Sequence, residues 1–268
     1  MTTEELIKKY NVPTPRYTSY PPANYFNEAF KETDYRKAIV DSNQLSPKSL
    51  SFYIHVPFCP QLCYYCGCNS YPMEKKATVE AYMEAIKKEI KLVIPLLDRN
   101  RKIAQIHYGG GTPIAIPLHF LKEINELLLS SFPHIEHPEI AIECHPGYLT
   151  ENNWLELLEA GFNRCSIGVQ DFDDKVLKTC NRRPSLLPME TILQLLHSHG
   201  LTVNMDFIYG LPGQTAKSFG RAINKAAQLK PDRLVTFSYA HVPWVNKNQL
   251  ILEKAGLPPT EEKSQMYH

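Results

Sequence analysis

Six short runs of apolar and β-branched residues alternate along this chain with segments of helical periodicity. Runs of this kind are typical of parallel strands buried on both faces. The predicted strands cover residues 50–56, 103–108, 139–143, 164–169, 202–208 and 233–239. The predicted helices cover residues 78–97, 117–131, 151–160, 173–180, 188–199 and 215–229. This alternation predicts an α/β fold with a parallel sheet, either curled towards a barrel or open and doubly wound.

Glycine and polar residues follow the predicted strands. Ligands of parallel α/β folds bind at the carboxyl ends of the strands, so these residues are the candidates for a site. The segments concerned are residues 57–68, 109–113, 143–146, 170–172, 209–214 and 240–244. The sequence therefore predicts one functional edge of the sheet.

The charge and hydropathy of the chain exclude several classes of partner. Lys and Arg number 29 against 28 Asp and Glu, which is not the basic surface of a nucleic-acid binder. The longest apolar stretch, around residues 92–97, is too short to span a membrane. The N-terminal sequence MTTEELIKKYN has no apolar core of a signal peptide. We therefore expect a cytoplasmic protein with no nucleic-acid or membrane partner.

Four of the seven cysteines lie in the ten-residue stretch CPQLCYYCGC, at Cys59, Cys63, Cys66 and Cys68. In a reducing compartment such a group indicates metal chemistry rather than disulfides. A four-thiolate zinc site is one alternative, although Cys66 and Cys68 are closely spaced for one tetrahedron. Buried apolar cysteines are a second alternative. The third is an iron–sulfur cluster held by three thiolates at C-x3-C-x2-C spacing, with one iron left open to another ligand.

The C-x3-C-x2-C spacing after the first strand resembles the signature of the radical S-adenosylmethionine (SAM) superfamily. Further stretches resemble one member family, the oxygen-independent coproporphyrinogen III oxidases, from about Tyr10 to the last residues. These stretches are PRYTSYP (15–21), YIHVPFC (53–59), HYGGGTP (107–113), GVQDF (168–172), DFIYGLP (206–212) and YAHVP (239–243).

The resemblance implies a partial (β/α)6 barrel with parallel strands, open on one side. It also implies a 4Fe–4S cluster and SAM as cofactors. In that family the reduced cluster cleaves SAM to a radical that abstracts hydrogen from the substrate. The reaction is the oxidative decarboxylation of two propionates of coproporphyrinogen III to vinyls, giving protoporphyrinogen IX in anaerobic haem biosynthesis.

The site residues that the resemblance implies fall into three groups. Cys59, Cys63 and Cys66 would bind the cluster, and Cys68 and His55 are the candidates for catalytic roles. The residues that would contact SAM are Tyr53, Tyr65, Gly110, Gly111, Thr112, Glu143, Gln170, Arg182, Asp206 and Ala240.

Ordinary structural roles remain open for several of these residues. Glu143 could pair with a lysine, Arg182 could be a surface charge, and His55 could be a packed core histidine. Asp206 is harder to explain by a structural role, because a carboxylate within this apolar strand would otherwise be a costly buried charge. Cys68 and the Arg16–Tyr20 block are typical of the oxidase family rather than of its haem-chaperone relatives.

Two segments depart from the pattern of the family. His145 stands where an acid is common, and the segment after Arg182 is unusually rich in proline. The expected domains are an N-terminal extension covering the barrel (1–48), the radical SAM core (49–245) and the start of a helical C-terminal domain (246–268). The chain is shorter than the family is expected to be.

The resemblance also implies partners: a porphyrinogen substrate and a flavodoxin- or ferredoxin-like electron donor, with the protein itself a monomer. The alternative functions are a haem-binding chaperone and a haem-degrading enzyme of the same superfamily.

Overall fold

The computed structural model describes residues 2, 5, 6, 9 and 25–268, which form two units, Met1–Ser46 and Pro47–His268. The first unit contains helix α1 (Glu32–Ser42), whose surface carries the ion pairs Arg36–Glu32 and Lys37–Asp41. The PRYTSYP stretch, including Arg16–Tyr20, lies outside the described residues.

The second unit alternates strands and helices. Its strands are β1 (Ser49–Val56), β2 (Phe58–Cys59), β3 (Tyr71–Pro72), β4 (Lys102–Gly110), β5 (His134–Cys144), β6 (Arg164–Gln170), β7 (Thr202–Tyr209) and β8 (Arg233–Ser238). Its helices are α2 (Lys76–Val93), α3 (Leu118–Ser131), α4 (Glu151–Glu159), α5 (Asp174–Thr179), α6 (Met189–Ser198), α7 (Ala216–Gln228), α8 (Gln249–Gly256) and α9 (Thr260–Tyr267). No described helix is long and apolar enough to cross a membrane.

Six parallel strands form the main sheet, in the order β1-β4-β5-β6-β7-β8. All six predicted strands are confirmed. Every strand of this sheet pairs with the next long strand along the chain, so the strand order never reverses. In a doubly wound sheet the strand order does reverse. The doubly wound alternative is therefore wrong. The sheet is a singly wound α/β sheet with β1 and β8 as its edges, the topology of a partial (β/α)6 barrel.

The two faces of the sheet differ in chemistry. One face carries fully buried residues such as Ile106, Ile142 and Phe207, which pack in one continuous core with residues of the helices. The other face is polar: Gln105 donates to Glu139 over 2.6 Å, and Arg164 pairs with the same carboxylate over 2.6 Å. The expectation of strands buried on both faces is therefore wrong for the polar face, and it is also wrong for β8, whose residues are all at least partly exposed.

The predicted helices are confirmed with small differences at their ends. Helix α2 ends at Val93 rather than at residue 97, and a short 3-10 turn (Ile94–Leu96) follows. The change is explained by Pro95, which has no N–H to continue the α-helical pattern. At the N-terminus of α4, Thr150 accepts a hydrogen bond from the Asn153 N–H, a standard cap. The sequence did not predict the short β2–β3 ladder or the separation of α8 from α9.

Candidate active site

A cavity of about 170 Å³ lies at the carboxyl edge of the sheet. It brings together most of the predicted site residues, which come from the ends of β4, β5 and β6, from β7, from the turn after α5 and from the cysteine stretch. The predicted residues that line it are Cys59, Cys63, Tyr65, Cys66, Cys68, Gly110, Gly111, Thr112, Glu143, Gln170, Arg182 and Asp206.

The three sulfurs predicted to bind the cluster each accept a hydrogen bond. Thr112 Oγ1 donates to Cys59 over 3.4 Å, Arg182 donates to Cys63 over 3.5 Å, and the Cys68 N–H donates to Cys66 over 3.4 Å. Burial raises the pKa of Cys59. The pKa of Cys66 is lowered to about 6, chiefly by hydrogen bonding from Cys68. A hydrogen-bond donor thus lies at each of the three sulfurs, and at Cys59 the Thr112 donor opposes the effect of burial on the pKa.

A glycine turn at the end of β4 lines the cavity next to Cys59. The Gly111 N–H donates to Val56 O over 2.8 Å, and the Thr112 N–H donates to Phe58 O over 2.9 Å. A Cβ at Gly111 would lie 2.5 Å from Pro57 O and 3.0 Å from Cys59 Sγ. Only glycine fits here without moving the backbone that leads into the cysteine stretch.

We expect Gly111→Ala to lower the free energy of unfolding by about 2 kcal/mol or more, because the new methyl group overlaps backbone rather than a flexible side chain. Gly220→Ala is the matched control, since Gly220 lies in α7 with open space where its Cβ would be. Alanine there should raise stability by about 0.5–1 kcal/mol. Urea unfolding of the metal-free proteins measures both values, and equal effects would contradict the steric explanation.

Two carboxylates face the cavity in different settings. Glu143 Oε1 lies 3.3 Å from His107 Nε2, and Glu143 Oε2 accepts the Gly110 N–H over 3.4 Å, so the alternative of a lysine partner is wrong. The Glu143 side chain remains 45% exposed, which leaves it able to bind a ligand cation.

Asp206 is held by two polar residues that sequence reasoning did not assign to the site. Ser166 Oγ donates to Asp206 Oδ2 over 2.7 Å, and Asn204 Nδ2 donates to Asp206 Oδ1 over 2.8 Å. Burial raises the pKa of Asp206, although these two donors oppose that shift. Asn204 and Asp206 share one face of β7 by alternation, and Ser166 pairs with Asn204 across the sheet, so strand register is the signal that links them.

Arg182 is 8% exposed, so the alternative of a surface charge is wrong. Besides Cys63, its guanidinium donates to Gly168 O. Burial alone would lower the pKa of Arg182, but Tyr65 and Cys63 together raise it above its ordinary value. The result is a permanent positive charge beside a predicted cluster ligand.

Gln170 supplies an acceptor that points to a ligand. Its backbone has a φ of 69°, which is uncommon outside glycine, and it lies at the register shift that ends β6. Its Oε1 is buried, with no hydrogen-bond partner among the residues that the structure describes. A buried acceptor without a partner is costly, so this atom fits a site that is completed by a donor on a bound molecule.

Three predicted site residues do not line the cavity. Tyr53 Oη and His55 Nδ1 lie 3.1 Å apart, and His55 Nε2 lies 2.8 Å from Asn69 O. A Cβ at Gly110 would lie 2.7 Å from His55 Cε1, so the imidazole supports the glycine turn from behind. Ala240 is exposed, two residues after the end of β8.

His145, the departure from the family pattern, is a buried structural residue. Its Nδ1 accepts the Gly147 N–H over 3.1 Å, which caps the 3-10 turn Pro146–Tyr148. Burial, with Arg182 and Arg183 as lesser causes, lowers the pKa of His145 to about 2. The imidazole is therefore neutral in the folded protein at any physiological pH.

This depressed pKa predicts a loss of stability in acid. An unfolded histidine gains a proton below about pH 6.5 whereas folded His145 does not, so stability should fall by about 1.4 kcal/mol per pH unit below that point. Between pH 7 and pH 5 the contribution of His145 is about 2 kcal/mol. His145→Asn keeps an acceptor for the Gly147 N–H but does not titrate, so it should remove this loss.

Urea unfolding of the metal-free protein at pH 7 and pH 5 measures the difference. His137→Asn is the control, because the His137 side chain is 90% exposed and should leave the pH dependence unchanged. Parallel pH profiles for wild type and His145→Asn would contradict the assignment.

The thiols fit a cluster better than they fit a single ion. Within the part of the chain that the structure describes, no three His, Cys, Asp or Glu side chains are grouped to hold one metal ion, as the zinc alternative requires. The cysteines of an iron–sulfur cluster bind through separate irons and need not converge on one point. The cavity combines three sulfurs that accept hydrogen bonds, a glycine turn, and the Gln170 acceptor described above. This combination fits a cluster with a bound polar ligand.

Comparison with known proteins gives a consistent picture. The model of the radical SAM superfamily matches residues 53–226. The oxygen-independent coproporphyrinogen III oxidase of Synechocystis sp. is 40% identical over 97% of this chain and 56% of its own length. The enzyme of the same name from Escherichia coli K12 is 38% identical over 96% of this chain and 56% of its own. The chain thus spans a little over half the length of these curated relatives.

The fold is also similar to a solved structure. The structure of coproporphyrinogen III oxidase from Escherichia coli, described as a radical SAM enzyme, superposes with a TM-score of 0.83 at 34% identity. The match covers 98% of this chain and 58% of that one.

Proposed function

Because this chain belongs to the radical SAM superfamily, we propose that it acts as an oxygen-independent coproporphyrinogen III oxidase in anaerobic haem biosynthesis. Its cofactors are a 4Fe–4S cluster and SAM. The proposed reaction removes hydrogen and carbon dioxide from each of two propionates of coproporphyrinogen III and leaves two vinyl groups, giving protoporphyrinogen IX. The observation that carries the proposal is the cavity in which three hydrogen-bonded thiols face a glycine turn and two carboxylates.

The three thiols of the cavity would hold the cluster. Cys59, Cys63 and Cys66 each have a hydrogen-bond donor at the sulfur, whereas Cys68 is exposed and itself supplies the donor to Cys66. Three ligands leave one iron open, and the cluster with SAM bound there supplies the one-electron chemistry that removes hydrogen from the substrate.

The remaining cavity residues would bind and orient SAM. Exposed Glu143 suits an ammonium group, and Asp206, held by Ser166 and Asn204, suits ribose hydroxyls. The backbone at Gly110, Gly111 and Thr112 would allow the ligand a close approach, because the two glycines have no side chains. Gln170 Oε1 would accept a hydrogen bond from the ligand, and Arg182 would balance negative charge near Cys63.

The peripheral candidates would act around this cavity. Tyr53 stacks on His107, which contacts Glu143, so Tyr53 would help to orient that carboxylate. His55 would hold the glycine turn, while Cys68 lines the cavity and would exchange a proton or hydrogen with the substrate. Ala240 would contact the cofactor through its backbone.

We further propose that residues 49–245 form the SAM-binding core. The proposed partners are a porphyrinogen and a flavodoxin- or ferredoxin-like electron donor, and we propose a monomer in the cytoplasm. The curated relatives that match over nearly the whole chain carry the oxidase name, which favours this function over a haem-binding chaperone or a haem-degrading enzyme.

Anaerobic reconstitution with iron and sulfide tests the proposal. The 268-residue chain should become brown and hold about four irons. With a reductant, SAM and coproporphyrinogen III it should form 5′-deoxyadenosine and protoporphyrinogen IX. A colourless, zinc-loaded protein would contradict the cluster, and haem binding without product formation would contradict the oxidase in favour of the chaperone.

A further inference from the structure

The cysteine loop, residues 59–68, is held by side-chain amides from two distant parts of the chain. Asn181 Nδ2 donates to Leu62 O over 2.9 Å. On the other side, Gln249 Nε2 donates to Tyr65 O over 3.0 Å and Asn246 Nδ2 donates to Cys66 O over 2.7 Å. The backbone carbonyls around Cys63 and Cys66 are therefore fixed by contacts that need no metal.

The first of these contacts comes from the turn after α5. Asn181 has a φ of 54°, a left-handed conformation that asparagine tolerates better than most residues. Gln61 Nε2 donates in return to Asn181 Oδ1 over 2.7 Å, and the Tyr64 N–H donates to Cys180 O over 3.0 Å. The loop and this turn, about 120 residues apart in sequence, thus exchange hydrogen bonds in both directions.

The second set of contacts comes from the start of α8. Gln249 is 1% exposed, and its Oε1 accepts the Val242 N–H while its Nε2 reaches Tyr65. Asn246 Oδ1 accepts the Asn248 N–H over 3.0 Å while its Nδ2 reaches Cys66. In both side chains the amide oxygen is held by a backbone N–H, and this fixes the amide nitrogen on the cysteine loop. Because the loop is already ordered in this way, it loses little conformational entropy when the cluster binds.

A small apolar cluster ties the two sets of contacts together. Its buried residues come from α5 and the following turn, from the segments after β7 and β8, and from α8, and Tyr64 and Tyr65 of the cysteine loop pack against it. The buried members are Val176, Cys180, Leu211, Tyr239 and Leu252. Burial of the two tyrosine rings adds an apolar anchor to the amide contacts.

We propose that Asn181, Asn246 and Gln249 are positioning residues that hold the cysteine loop in its cluster-binding conformation before the cluster is bound. Asn246 and Gln249 lie beyond residues 53–226, the part that matches the superfamily, so the turn before α8 and the first residue of α8 complete the cluster site from outside the common core. The proposal rests on the proposed function in taking a cluster as the ligand of the loop.

The test compares amide hydrogen exchange in the metal-free chain with cluster retention after reconstitution. Asn246→Asp keeps the acceptor for the Asn248 N–H and puts a carboxylate oxygen in place of the donor to Cys66 O. Asn181→Gly keeps the left-handed backbone and removes both the donor to Leu62 O and the acceptor for Gln61 Nε2. Asn248→Asp is the matched control, because it introduces the same charge two residues away. The Asn248 hydrogen bond to Asn246 is made by its backbone N–H, which the substitution keeps.

In wild type and Asn248→Asp, the Tyr64 and Cys66 N–H groups should be protected from exchange without metal. Each test variant should exchange at least about fivefold faster there and lose iron to a chelator at least about fivefold faster, since Asn246→Asp loses one hydrogen bond and Asn181→Gly loses two. The electron paramagnetic resonance signal of the reduced cluster should broaden in Asn246→Asp and Asn181→Gly but not in wild type or Asn248→Asp.

Wild-type exchange in both variants would overturn the proposal, and so would an equal effect of Asn248→Asp. If one variant fails to fold, the other still decides, because the two act on opposite sides of the loop. Failure of every protein, including wild type, to bind iron would overturn the proposed function, whereas the exchange result would still measure the positioning of the loop.

Discussion

Cys63→Ala is expected to abolish cluster binding, whereas Cys68→Ala should leave it intact. Cys63 is buried at the cavity wall, and its sulfur accepts a hydrogen bond from the buried Arg182. Cys68 is exposed, and the contact that it makes to Cys66 includes a backbone N–H that alanine retains. With only two of three thiolates left, a cluster has too few ligands to stay bound.

Iron and sulfide content with the visible absorption of the reconstituted proteins measure this difference. Cys63→Ala should hold less than about a tenth of the wild-type iron, and Cys68→Ala about the wild-type amount. Cys165→Ala is a further control for the loss of a buried thiol, since Cys165 lies in the core and outside the cavity. Equal iron loss in the Cys63 and Cys68 variants would mean a four-cysteine site and would contradict the open iron.

The strands and the functional edge of the sheet were predictable because their signals are local. Near-continuous apolar runs mark β4 to β7, and the residues just after each strand fall together at one edge in any parallel sheet. Glu143 and Gln170 lie at strand ends and follow from this rule, whereas Asp206 lies within β7 and was predicted as a site residue from the family resemblance. Periodicity carries no information on strand order, so it could not choose between a doubly wound and a singly wound sheet, and the partial barrel was predicted from the family resemblance alone.

The contacts that complete the site were not predictable because they join distant residues. Nothing near Arg182 in the sequence indicates that it is buried against Cys63, 119 residues away. In the same way, Gln249 is an ordinary helical residue in sequence, and only the packing of α8 brings it to Tyr65. Asp206 lies between these cases, since its burial was predicted and its partner Ser166 follows from strand register.

Arg182→Leu is expected to weaken the site more than any other single change outside the three cysteines. The substitution removes donors from two acceptors at once, Cys63 Sγ and Gly168 O, and both lie at the cavity wall. It also removes a positive charge beside Cys63, a proposed ligand of the cluster. Truncating one partner of a buried hydrogen-bonded charge is costly, so the free energy of unfolding of the metal-free protein should fall by about 3 kcal/mol.

The reduction potential of the cluster distinguishes the effect of Arg182 from that of its neighbour Arg183. Hydrogen bonds and positive charge near the sulfurs favour the reduced cluster, so Arg182→Leu should shift the reduction potential to more negative values. Arg182→Lys keeps the charge without the planar fork and should fall in between. Arg183→Leu is the matched control: Arg183 is exposed and lies 5.1 Å from the centre of the Tyr148 ring, a contact worth less than about 1 kcal/mol. A spectroelectrochemical titration measures the reduction potential, and urea unfolding measures the free energy of unfolding. Equal changes in Arg183→Leu would contradict the assignment. The positive charge would then act through the general field of the loop and not through the buried contacts of Arg182.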